Sequence, residues 1–172
     1  MRSQSLKRLS ETVARVALLL VLLPAEPTRA QAAAPSVENS AQADAAFRAG
    51  YAAISNHQLP EARGDFQKVV DLVPQVEEGH SALGAVLVQL GAYREAIGEL
   101  RQALKLKPED VAAQTNLAVA LAGSGQDAAA LPFFVRLDRR SASTKQPLPA
   151  GVLLVYARSL VATGQTSLAT EK

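Results

Sequence analysis

A spacing of 34 residues constrains this chain more than any other feature. The stretch from Glu77 to Asp110 overlays its neighbours on both sides at that spacing. Gly50, Gly84 and Ala118 share one column, Ala62, Ala96 and Ala130 a second, and Phe66, Leu100 and Phe134 a third. Ala49, Leu83 and Leu117 precede the first small column, Ala53, Leu87 and Leu121 follow it, and Pro74 and Pro108 close two of the units. A period of this size implies a solenoid, in which each unit is one supersecondary element buried by stacking on the next.

One unit can be read from its residues. Leu83, Val86, Leu87 and Leu90 fall at helical spacing, as do Ala96, Ile97, Leu100, Ala103 and Leu104. Gly91 stands where a left-handed C-terminal cap wants no Cβ, and Pro108 stops the second helix. The two helices are therefore expected to form a tight antiparallel pair. Gly50, Ala62, Gly84, Ala96, Ala118 and Ala130 are the candidate packing positions, where a larger side chain would hold the backbones apart.

At these residues the chain resembles the tetratricopeptide repeat (TPR) family. The central unit carries Leu83-Gly84, Leu87, Gly91, Tyr93, Ala96, Leu100, Ala103 and Pro108 at the family's spacing, with His80 where the family prefers Trp. The first unit keeps Gly50, Ala62, Phe66 and Pro74 but has Ala46 and Ala49 at large-residue columns, so its first helix is expected to pack less well. The third keeps Asn116-Leu117-Ala118, Leu121, Gly125, Ala130 and Phe134 without a closing proline; a fourth begins near Ala150, displaced by five residues, with Tyr156-Ala157, Leu160, Gly164 and Ala169. The resemblance implies an all-α fold, a right-handed α-solenoid of antiparallel helix pairs with three repeats and part of a fourth. The expected units are 43–76, 77–110, 111–144 and 150–172.

The N-terminus follows another logic. Arg2, Lys7, Arg8 and Arg15 precede the apolar run Val16 to Leu23, and small residues follow at Ala30-Gln31-Ala32. Residues 1–30 read as a secretory signal peptide, with an uncleaved N-terminal anchor in the inner membrane as the alternative. The expectation is an exported protein, periplasmic or secreted, whose only membrane association is through the export signal. Residues 31–42, with Pro35, Ser36, Asn39 and Ser40, read as a flexible linker. Removing residues 1–30 takes five of the 18 basic residues and two of the 16 acidic ones, so the remainder is close to neutral. The sequence pI near 9.1 thus owes most to the leader and gives no reason to expect a nucleic-acid partner. The cluster Arg136, Arg139, Arg140 and Lys145 reads as a solvated helix end and loop.

Little here suggests chemistry. There is no Cys, and the two histidines, His57 and His80, fall in the turn column and the core column. No pair has metal-ligand spacing, and no nucleophile elbow or glycine-rich phosphate loop is present. Glu77-Glu78 and Glu109-Asp110 read as helix-start acids. The expectation is a protein that is not an enzyme, with no catalytic residue, metal, cofactor or small-molecule substrate.

Pro132, about five residues into the second helix of the third unit, is expected to delay or kink it. The five-residue insertion is placed in a loop from Ser141 to Pro149, and Asp127 is read as an N-cap.

The resemblance implies that the first helix of each unit lines a concave groove. Stepping along that face gives Asp44, Phe47, Tyr51 and Ser55, then Glu78, Ser81, Ala85 and Gln89, then Ala112, Thr115 and Val119, a groove of small and mostly neutral residues in which Phe47, Tyr51, Ser81, Ala85, Gln89, Thr115 and Val119 are the candidate contacts. Family members that clamp a terminal carboxylate use Lys, Arg and Asn in these columns, and only Asn116 matches. The leading expectation is a scaffold that binds a protein or peptide segment in this groove. The alternatives are an N-terminal regulatory or assembly module of a larger secreted or envelope enzyme, and self-association through an open repeat end.

Overall fold

The computed structural model describes residues 36–171, and the expected signal peptide lies outside them. Eight helices follow in order among the described residues: α1 Val37–Ser55, α2 Leu59–Leu72, α3 Glu77–Gln89, α4 Tyr93–Leu106, α5 Val111–Gly123, α6 Asp127–Thr144, α7 Ala150–Ala162 and α8 Thr166–Ala169. No strand occurs among them. Each odd-numbered helix packs on the even-numbered one that follows, and each pair packs on the next, giving an α-solenoid of antiparallel helix pairs.

The turns within the pairs share one construction. Gly91, Gly125 and Gly164 have φ of 73°, 79° and 80°, and His57 takes the same left-handed conformation in the first pair at φ 60°. One residue on, a backbone amide reaches back to the first helix: Gln58 to Ala53, Ala92 to Leu87, Gln126 to Leu121 and Gln165 to Leu160, at 2.8–2.9 Å. These bonds satisfy carbonyls that the helix end would leave orphaned.

The core follows the columns. Ala62, Ala96 and Ala130 are fully buried, as are Phe66, Leu100 and Phe134 one turn on, with Val69, Ala103 and Leu137 completing the stripe. Burying one such large side chain contributes about 1.5–3 kcal/mol. Gly50, Gly84 and Ala118 are buried opposite the large column. A Cβ on Gly84 would sit 2.5 Å from Leu100 Cγ, and one on Gly50 2.8 Å from the Phe66 ring. Small on one helix against large on its partner is what sets the close approach.

Four local expectations change. The segment from 36 to 42 belongs to α1 and not to a linker: Ser36 caps the helix, its Oγ accepting from the Asn39 amide at 3.1 Å, and Glu38 stands in the first turn. The polar residues that suggested a loop are a helix-start signal ahead of an alanine-rich run with high helix propensity. Helix α6 begins at Asp127 without delay despite Pro132. Pro132 and Ala128, whose carbonyl loses its donor, are both exposed, so the missing bond falls on the solvent side of the helix. The N-cap is Gln126, and Asp127, one residue in, spends its carboxylate on Ser159 Oγ at 2.7 Å. Most of the insertion lengthens α6 to 18 residues, against 14 for α2 and α4, and the helix ends only at left-handed Lys145. Ala49 is exposed, unlike Leu83 and Leu117 in its column, since no described helix precedes α1 to cover it.

Candidate functional site

The first helices α3, α5 and α7 pack on one another in succession, whereas α2, α4 and α6 have no comparable contact among themselves. One face of the array is therefore a continuous floor of first helices. Phe47, Tyr51, Ser81 and Ala85 meet there in a depression of about 310 Å³. Thr115 and Val119 occupy the matching turns of α5, one unit on and half-buried, and Gln89 is exposed at the end of α3, outside the depression. Thr115 Oγ1 donates to the Val111 carbonyl of its own helix at 2.7 Å and so offers little to a partner.

The aromatic pair has two roles. Phe47, Tyr51 and the buried Phe66 meet edge to face, with ring centroids 5.0–5.6 Å apart. Such contacts add about 0.5–1.5 kcal/mol beyond area burial. Phe47 is half-buried within this cluster, while Tyr51 is 50% exposed on the groove.

The structure adds a polar wall, of which the sequence assigned Glu78 and Asn116 to the groove face but not Glu77, Lys107 or Asp110. Glu77, Glu78, Lys107, Asp110 and Asn116 line the same depression. Most of this charge is internally engaged. Lys107 Nζ donates to Glu77 Oε2 at 3.2 Å, Ser81 Oγ donates to Asp110 Oδ2 at 2.8 Å, and Asp110 Oδ1 caps α5 by accepting from the Ala112 amide at 2.9 Å. Burial, then the hydrogen-bonded carboxyl of Asp110, push Glu77 above the usual carboxylate range against the opposing pull of Lys107. Burial alone would raise Asp110 too. Hydrogen bonds from Glu77, Ser81 and the amides of Ala113 and Ala112 outweigh it and hold Asp110 low. The two carboxyls are thus pushed in opposite directions, Glu77 up and Asp110 down.

His80 is a packing residue. It is 6% exposed, with Nδ1 2.7 Å from Glu99 Oε2 and Nε2 3.0 Å from the Pro74 carbonyl. One repeat later Gln114 occupies the same column and donates to the Pro108 carbonyl at 2.6 Å. The column ties each first helix to the turn before it. His57, in the turn column, is exposed. Among the described residues no group of His, Asp and Glu is placed to hold a metal ion, and no helix is long and apolar enough to cross a membrane.

Residues 86–125 match the family model described as TPR repeat. No curated protein sequence matches the chain. Solved structures share the fold at low identity. The TPR2B domain of yeast Sti1, in complex with pHsp70, aligns over 69% of this chain and 96% of its own at 22% identity and a TM-score of 0.60. YrrB, a TPR protein with an unusual peptide-binding site, aligns over 77% of this chain and 66% of its own at 23% identity and a TM-score of 0.65. An O-GlcNAc transferase of Thermobaculum terrenum aligns over 73% of this chain but 23% of its own, at 20% identity and a TM-score of 0.58. A TPR repeat model thus matches the centre of the chain, and the described helices share the fold of solved tetratricopeptide-repeat structures.

Proposed function

We propose that this protein is an exported, non-enzymatic scaffold that holds a peptide or protein segment along the face made by α1, α3 and α5. The observation that carries this reading is the depression bounded by Phe47, Tyr51, Ser81 and Ala85, where a half-exposed aromatic side chain overlooks a floor of small residues. A floor of alanine and serine lets a partner backbone approach closely, and the tyrosine supplies contact area at low entropic cost. The similarity to peptide-binding TPR structures supports the reading. Because Glu77, Asp110 and Lys107 are engaged with one another, the affinity should rest on shape and apolar contact and depend weakly on salt.

Site-specific photocrosslinking in cells tests it, with the crosslinker at Ala85 and, as control, at Gly64 on the exposed side of α2. A partner captured from Ala85 and not from Gly64, and weakened by about 1 kcal/mol or more in Tyr51→Ala, is the expected result. Equal capture from both positions refutes it. Export is tested on the same cells: the mature chain should begin between Gln31 and Ala34, and an intact Met1 terminus in the envelope fraction would favour an anchor. The alternative role as a module of a larger enzyme draws support from the transferase likeness, in which the aligned array is a minor part of the longer chain.

A further inference from the structure

The opposite side of the array carries a feature that the groove reading does not use. Between α4 and α6, which do not pack on each other, a cleft of about 420 Å³ opens onto Leu117 of α5, with Leu104 and Phe133 as its apolar walls. Arg101, Lys105 and Arg136 stand around it, all exposed. Arg136 thus belongs to this cleft and not only to a solvated helix end.

The fold gives these cations nothing to do. Among the described residues none of the three forms an ion pair or a side-chain hydrogen bond. Neither arginine has an acid three or four positions away on its helix: Arg101 has Ile97, Gly98, Leu104 and Lys105 there, and Arg136 has Pro132, Phe133, Arg139 and Arg140. Arg101 and Lys105 are themselves a like-charged pair at helical spacing, which is destabilising. Three cations converging on an apolar opening without a carboxylate are arranged for an anionic ligand with an apolar part. The apolar floor argues against a bare phosphate backbone, and two guanidinium forks suit planar carboxylates.

We propose that this cleft is a second docking site, for an acidic amphipathic segment of a protein partner that seats an apolar side chain on Leu117 and sets carboxylates against Arg101 and Arg136. The site is separate from the groove, so one chain can hold two partners at once.

Fluorescence anisotropy on the full-length chain tests this with a labelled amphipathic peptide of leucine and glutamate and a matched peptide of leucine and glutamine. The acidic peptide should bind, weaken steadily as salt is raised, and lose at least about tenfold in affinity in the Arg101→Glu, Arg136→Glu double variant. Both sites are exposed, so the helical circular dichroism of that variant should match wild type; the milder Arg101→Gln, Arg136→Gln pair should show a smaller loss in the same direction. Phe47→Ala with Tyr51→Ala should leave this binding unchanged. Equal affinity for the glutamine peptide, a flat salt dependence, or loss on changing the groove aromatics would each overturn the proposal. So would stronger, arginine-dependent binding to phosphatidylglycerol vesicles than to the peptide, which would assign the cleft to a membrane.

Discussion

Substituting Gly84 by alanine sets two effects of similar size against each other. The new Cβ would lie 2.5 Å from Leu100 Cγ and 2.7 Å from Cδ2, and Leu100 is fully buried, so the leucine must leave its rotamer or the helices must part. Overpacking of this kind costs about 1–3 kcal/mol. Alanine also recovers about 0.5–1 kcal/mol of helix propensity relative to glycine, so Gly84→Ala alone should range from near neutral to about 2 kcal/mol destabilising. The single value therefore decides little, and a double-mutant cycle decides more. Leu100→Ala alone should cost about 2–5 kcal/mol through the cavity it leaves. In that background the alanine at 84 meets no obstruction, only its propensity gain remains, and the substitution should become stabilising. The predicted interaction energy is on the order of 1–3 kcal/mol, read from urea unfolding followed by helical circular dichroism at constant slope. Additivity within about 0.5 kcal/mol would mean that Gly84 does not set the distance between α3 and α4.

His57 holds the left-handed turn position that glycine fills in the other three pairs, and His57→Gly should raise stability by about 1 kcal/mol, measured by thermal unfolding. His80→Gln keeps a donor for the Pro74 carbonyl, as Gln114 does for Pro108, and should be milder than His80→Leu, which strands that carbonyl and Glu99 at about 1–3 kcal/mol. Equal losses would make the column purely apolar in effect. For Glu77 the pKa is raised above 4.5, so its ionisation opposes folding as pH rises through that higher value; Asp110 is held below 3.8, so its contribution is lost as pH falls below that point. Glu77→Gln should therefore gain in Tm relative to wild type as pH rises above 4.5, and parallel pH profiles for the two proteins would refute a raised Glu77 carboxyl.

The legible part of the fold was the part that repeats. Column identity is a statement about packing, because Ala62, Ala96 and Ala130 must meet the same surroundings in each unit, and they are all fully buried. Exceptions arise where the surroundings are not repeated. Ala49 shares a column with Leu83 and Leu117 yet is exposed, because it stands on the first described helix. Ser36 and Asn39 look like loop residues by composition and are helix-start residues by position. At the groove, Phe47, Tyr51, Ser81 and Ala85 could be placed by stepping along one helix face. The contact of Lys107 with Glu77 closes the second unit over 30 residues and that of Ser81 with Asp110 crosses over 29 residues to the cap of α5, and helical periodicity carries no information about such pairs.

Those crossing contacts explain how a face built largely from alanine and leucine holds one register. Apolar contact is non-directional, and in an array where each unit touches only its neighbours nothing distant corrects a local slip. Directional bonds therefore have to occur at every junction. His80 and Gln114 bond to the prolines that close the preceding units, Ser81 to the cap of α5, Ser159 to the start of α6, and Arg158 Nη2 to the Ala122 carbonyl at 3.2 Å. At α1 the corresponding positions are Ala46 and Phe47, which can make no such bond, and that helix rests on α2 through the small apolar cluster of Ala43, Ala46, Val69 and Val73. The groove thus joins two mechanically different parts: a wall from α3 onward pinned by polar bonds, and a first helix free of them that carries both groove aromatics. A partner settling between Tyr51 and Ala85 would meet one fixed side and one side able to adjust, which suits a segment recognised by shape and apolar contact more than by charge.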